Sequence, residues 1–150
     1  MDHDDAARIR GVIGKLSRRL NASATGQGLT PSQASALGLI TGKGRLGLAE
    51  LAEIEGLNPS MVSRIVGRLD ELGLVERVQN PQDLRAATVQ ITETGRLTNE
   101  RIRETRGAVV SECLARLPEA DRTSIANALP ALEALAEELR SPAPPPRETS

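Results

Sequence analysis

The chain has 150 residues, enough for one domain with a substantial core. It contains no Phe, Tyr or Trp, so the core must be built from Leu, Ile, Val and Ala, and aromatic stacking platforms for single-stranded nucleic acid are excluded. The formal net charge is −1, which excludes polyanion binding through bulk charge, so any nucleic-acid site needs local placement of charge. The single cysteine, Cys113, has no partner for an intramolecular disulfide. The opening MDHDDAARIR lacks a basic-then-apolar signal pattern, and no apolar run approaches the roughly 20 residues of a membrane span. A cytoplasmic location without membrane attachment is the expectation.

Ile9, Val12, Ile13, Leu16 and Leu20 recur at intervals of three and four and predict a helix over 6–22 with one apolar stripe. The glycines of residues 23–28, SATGQG, predict a loop. Thr30-Pro31-Ser32-Gln33 is a capping box with proline at the first helical position, opening a second helix that ends at Gly42-Lys43-Gly44. Leu46 makes a short extended step. Gly47 caps a third helix, Leu48 to Glu55, and Gly56 stops it. Asn58-Pro59 is a further N-cap and first-turn proline, opening a fourth helix to Glu71 that Gly73 closes. Two short helices separated by Gly56-Leu57-Asn58 have helix-turn-helix spacing.

Residues 74–79 and 87–91 are rich in branched side chains and flank the turn-rich Asn80-Pro81-Gln82-Asp83, which predicts a hairpin and makes the arrangement winged. Thr92 caps a fifth helix from Glu93 to about Leu117, with a stripe of Leu97, Ile102, Val109, Cys113 and Leu117. On that stripe Cys113 reads as a buried structural thiol. Pro118 opens a sixth helix striped with Ile125, Leu129, Leu132, Leu135 and Leu139, and Pro130 is expected to kink it. Residues 141–150 read as a disordered tail. The expected fold class is mainly α with a small β-hairpin wing: a winged helix-turn-helix core over 29–95 between helical regions over 1–28 and 96–140.

The fourth helix carries the chemistry. Met61, Val62, Ile65, Val66, Leu69 and Leu72 are its expected buried side, leaving Ser60, Ser63, Arg64, Gly67 and Arg68 outward. That face has no carboxylate until Asp70 and Glu71. Arg pairs bidentately with guanine, Ser serves a base edge or a phosphate, and a small residue permits close approach, so the face suits a major groove. At the hairpin tip Arg85 suits the negative potential of a minor groove, and Asp83 is placed to orient its guanidinium. Taken alone, the helix face is as readily an ordinary solvated face, and the tip pair is more readily a salt bridge with no DNA role. No nucleophile elbow, phosphate loop or metal-spaced ligand set occurs, and the one histidine is His3, so neither an enzyme nor a cofactor or metal site is expected.

Leu29 to Gly95 resembles the DNA-binding core of the MarR family through LTPSQASALGLI, AELAEIEGLNPSMVSRIVGRLDELGLVER and NPQDLRAATVQITETG. The stretch from Asp83 through Thr92-Glu93-Thr94-Gly95 resembles that family's wing signature. The flanking helices match in order and length only. The resemblance implies a homodimer, with the first, fifth and sixth helices forming the dimerisation unit, and double-stranded DNA carrying a palindromic operator as partner. It also implies that Ser60, Ser63, Arg64 and Arg68 lie on a recognition helix and that Arg85, oriented by Asp83, is the wing arginine. Two departures stand out: Leu84 occupies a place where a second basic residue is frequent, and the absent aromatics differ from members that hold phenolic or salicylate-like effectors. The residues of an effector site are therefore left unknown. The function these readings support is a dimeric, sequence-specific DNA-binding transcriptional regulator, a repressor released by a small-molecule effector. The alternative is a winged-helix protein–protein interaction module or an effector-independent DNA-binding protein.

Overall fold

Local side-chain chemistry sets the helix boundaries. The computed structural model of the chain describes residues 1–23, 27–80 and 82–140, with the backbone alone at 23, 80, 83–86 and 140. Helix α1 is His3–Ser23. It begins before its apolar stripe because the Asp5 N–H donates to Asp2 Oδ1 at 2.9 Å, giving the first turn a carboxylate partner. Helix α2, Pro31–Lys43, opens on the expected capping box: Gln33 N–H donates to Thr30 Oγ1 at 3.2 Å and Thr30 N–H to Gln33 Oε1 at 3.0 Å. It runs through Gly42 and stops only at Gly44, whose φ of 73° a side chain would resist.

Strand β1 is Arg45–Gly47, α3 is Leu48–Glu55 and α4 is Pro59–Glu71. Gly56 ends α3 in the left-handed conformation, and Asn58 Oδ1 accepts the Met61 N–H at 2.9 Å to start α4. Strands β2, Val75–Asn80, and β3, Asp83–Ile91, form the hairpin. The extended step at Leu46 turns out to be a third strand, in the antiparallel order β1-β3-β2 with Leu46 opposite Val89. Both side chains are buried, so burial fixes a register that three residues alone could not hold. Strand β3 also starts four residues earlier than expected, because pairing continues to Asn80 opposite Asp83. The expected turn residue Pro81 lies outside the described residues.

Leu37 and Ile40 of α2, Leu51 of α3, Val66 and Leu69 of α4, and Val75 and Val89 of the sheet are the fully buried centre. Branched and straight aliphatics fill this small core without a ring system, each side chain contributing about 1.5–3 kcal/mol by leaving water. Helix α5, Glu93–Ala115, adds Ile102 to the core and begins against the end of α4. Thr92 Oγ1 accepts the Gly95 N–H at 3.0 Å, capping α5, while donating to the Gly73 carbonyl at 2.6 Å. The Thr92 N–H donates to the Leu74 carbonyl at 3.1 Å. A Cβ at Gly95 would run into that same Leu74 carbonyl oxygen.

The described residues divide into two compact units, which part between Val109 and Val110. Within the second, helix α6 is Glu119–Arg140, and Arg122 Nη1 donates to the Leu117 carbonyl at 3.0 Å and the Ala115 carbonyl at 3.4 Å. A cation thus meets carbonyls at and just past the end of α5. Helix α6 continues through Pro130. Three expected burials are corrected here. Cys113 is exposed, with Arg116 Nη2 3.4 Å from its sulfur, Leu97 on the same helix is 45% exposed, and Leu117, just past the end of α5, is 36% exposed. The expected tail, 141–150, lies outside the described residues.

Two glycines in helices should respond oppositely to alanine. Gly95→Ala forces the Leu74 backbone away and should destabilise by about 1–3 kcal/mol or more. Gly42 is helical with nothing within 4 Å of a new Cβ, so Gly42→Ala should stabilise by about 0.4–1 kcal/mol. Urea unfolding followed by circular dichroism measures both.

Candidate nucleic-acid interface

Helix α4 presents one buried and one open side. Val62, Val66 and Leu69 are buried against the core and Ile65 is half-buried, while Ser60, Ser63, Arg64 and Arg68 are exposed. Met61 and Leu72, expected on the buried side, are 43% and 39% exposed. At 3.6 residues per turn, Met61 lies at the edge of the stripe rather than its centre, and Leu72 is already the C-cap. The open side therefore gains an apolar thioether, a group that packs well on a thymine methyl. Arg64 makes no ion pair among the described residues. Arg68 does: its Nη1 lies 3.2 Å from Glu71 Oε2, so its charge is partly neutralised within the helix.

A second arginine reaches this helix from the hairpin. Arg77 on β2 donates from Nη2 to the Ser63 carbonyl at 2.8 Å. Its guanidinium passes beside Gly67, where a Cβ would stand 3.5 Å from Nη2. Sequence reading does not find this residue, because the strand pattern shows only one more polar position. The signal present is a glycine in the middle of an amphipathic helix, a poor helix former that calls for a packing reason. For the hairpin tip, β3 carries Asp83 and Arg85 on its first residues. Their side chains, and the expected Asp83–Arg85 contact, lie outside the described residues.

This arrangement is a winged helix-turn-helix: α3 and α4 joined through Gly56, followed by an antiparallel hairpin. Residues 29–87 match the MarR family in sequence. That stretch is what the chain shares with the family. Over 119 residues it is 27% identical to the HTH-type transcriptional repressor MdtR of Bacillus subtilis (strain 168), covering 79% of this chain and 77% of that protein. Over 127 residues it is 29% identical to an HTH-type transcriptional regulator of Mycobacterium bovis, covering 85% of this chain and 89% of its relative. Among solved structures, the YusO protein from Bacillus subtilis is similar with a TM-score of 0.69 at 26% identity, covering 87% of this chain and 93% of YusO. The family and these curated relatives are named as transcriptional regulators, not enzymes.

The MarR-like fold also holds a cavity of about 480 Å³ between α2 and the first half of α5. Gly38, Thr41, Asn99, Ile102, Arg103 and Arg106 line it. Asn99 is buried, and the Arg106 Nε is buried with no hydrogen-bond partner among the described residues. A buried donor without a partner is costly, so the wall is chemically unsatisfied on its polar side. Among the described residues no group of three or more His, Cys, Asp or Glu side chains could hold a metal ion. No described helix is long and apolar enough to cross a membrane.

The Arg68–Glu71 pair generates a direct test. Both side chains are more than half exposed, so Glu71→Gln should change unfolding stability by less than about 0.5 kcal/mol. Freeing the guanidinium and removing a carboxylate should tighten binding to duplex DNA several-fold at low salt. A titration of labelled duplex by the variant and the original protein measures it.

Proposed function

We propose that this chain is a homodimeric, sequence-specific DNA-binding transcriptional repressor, in which α4 enters the major groove and the hairpin tip follows the adjacent minor groove. The observation that carries the reading is the open side of α4: exposed Ser60, Ser63 and Arg64 on a helix whose opposite side is locked into the core. A rigidly held helix with an unpaired guanidinium and no acid on its first two turns is what base-edge readout requires. Arg85, with Asp83 beside it in sequence, is the proposed minor-groove contact, on the strength of the family's wing signature. The name of repressor given to the relative MdtR supports the direction of control.

Unspent apolar surface supports dimerisation. On α1 Leu16 is 57% exposed, on α6 Leu129 is 50% exposed, and Val12, Ile13, Ile125 and Leu132 repeat the exposure at helical spacing. Stripes of this kind, rimmed by charge, mark a surface that another chain covers. A second copy supplies two-fold symmetry and so a palindromic operator. The cavity between α2 and α5 supports a small-molecule effector, and its two arginines and buried amide favour an anionic, hydrogen-bond-accepting one.

Fluorescence anisotropy with a duplex selected from the source genome and a scrambled duplex tests the DNA-binding reading. Arg64→Ala should lose about 1–3 kcal/mol on the selected duplex and relax its base preference. Arg85→Ala should weaken both duplexes alike and lower the salt slope by about one for each phosphate left without its cation. Equal losses on both duplexes for Arg64→Ala would mean that α4 does not read bases. Sedimentation at micromolar concentration should give a dimer, and a monomer there defeats the symmetric-operator reading.

A further inference from the structure

Resting on the DNA-binding reading above, we propose that Arg77 is a further DNA-contacting residue, a phosphate clamp held between the recognition helix and the wing. Strand β2 alternates: Val75 is buried against the core, and Arg77, two residues on, shares its face. The stem of Arg77 therefore leaves the core beside α4, and its head group emerges on the open side of that helix. There Nη2 donates to the Ser63 carbonyl at 2.8 Å. In an α-helix that carbonyl already accepts from the amide four residues on, which here is Gly67, so the guanidinium uses its second lone pair.

Gly67 is the residue whose side chain would stand over that carbonyl. An alanine methyl would meet Nη2 at ordinary contact distance, 3.5 Å, and anything longer would push the guanidinium off the helix. The sequence thus accepts a poor helix former at the one position that opens the approach. One donor fixes the guanidinium; its other N–H groups are unused by any hydrogen bond or ion pair among the described residues, and Arg77 is exposed. The nearest acid in sequence, Glu76, points from the opposite face of the strand and accepts from Gln90 Nε2 at 3.2 Å. A planar cation, oriented at one end and free at the other, placed between a groove-entering helix and a wing, matches the bidentate recognition of a phosphate. A contact of that kind positions the duplex and carries no base preference.

The salt dependence of binding by the full chain to the selected and scrambled duplexes tests this. Arg77→Gln should weaken both duplexes alike and flatten the log-affinity against log-salt slope by about one for each protomer. Arg77→Lys, which keeps the charge, should keep the slope while losing part of the affinity. If Arg77 only braces the wing, Arg77→Gln keeps the original slope, and that result overturns the assignment. A wild-type protein with no salt-dependent binding to either duplex would instead overturn the DNA-binding reading itself, and this assignment with it. A second readout needs no variant: phenylglyoxal modification of the wild-type protein, mapped by mass spectrometry with and without duplex. Arg77 should react in the free protein and be protected in the complex; equal reactivity in both overturns the clamp.

Discussion

The approach of Gly95 to the Leu74 carbonyl is the constraint on which the DNA-facing side depends. Leu74 stands where α4 gives way to β2, and Gly95 lies in the first turn of α5. Between them Thr92 uses its N–H on Leu74 and its hydroxyl on both Gly73 and Gly95. Three elements therefore leave one knot of backbone, and no side chain can be placed inside it. Bidentate contacts tolerate misplacement of only about 0.5 Å, so the relative aim of helix and hairpin must come from such fixed backbone geometry. Side-chain packing alone, in a core of flexible aliphatics, would leave that aim softer.

Much of this was legible in the sequence, and the reasons are local. The Thr30–Gln33 box, the Asn58 cap and the glycine stop at Gly56 each act within a few residues, so their signals survive without knowledge of the fold. The hairpin was legible through composition, although β3 starts earlier than its branched residues suggest. What the sequence hides is set by contacts between distant segments. Leu46 becomes a strand only because Val89 is there to pair with it, and Arg77 joins the interface only because β2 lies beside α4. The exposed Met61 and Cys113 show the same limit from the other side: an apolar stripe gives a direction, and the width of the buried strip depends on what arrives to cover it.

A net charge of −1 and a polyanionic partner are reconciled by position. The acids of the winged region lie off the open face of α4 or are engaged: Glu76 with Gln90, Glu55 with Ser35, Glu50 with Lys43, Glu71 with Arg68. Field strength at a phosphate falls off over roughly 8 Å at physiological ionic strength, so a few local guanidiniums outweigh distant carboxylates. Arg64 and Arg77 are without an ion pair among the described residues of the open face, and the Glu71 partner makes Arg68 the weaker third. Affinity built from so few charges should lean on base contacts more than on a basic surface, which favours selectivity over tight non-specific adhesion.

Helix α5 ties the cavity to the same knot. Asn99, on the cavity wall, lies one helical turn beyond Gly95, and Ile102 lines the cavity while packing into the core. Thr92, at the start of α5, is hydrogen-bonded to Gly73 and Leu74, so in the proposed regulator a ligand that prefers a shifted α5 would act on the base of the wing and the end of α4 together. Such a ligand changes DNA affinity only by as much as it discriminates between the two positions of that helix. The unsatisfied Arg106 Nε supplies a source of discrimination, since a position of α5 that brings it an acceptor gains a hydrogen bond that the described position lacks. The proposed coupling runs along α5, from the unpartnered Arg106 Nε at one turn to the Gly95 approach at another.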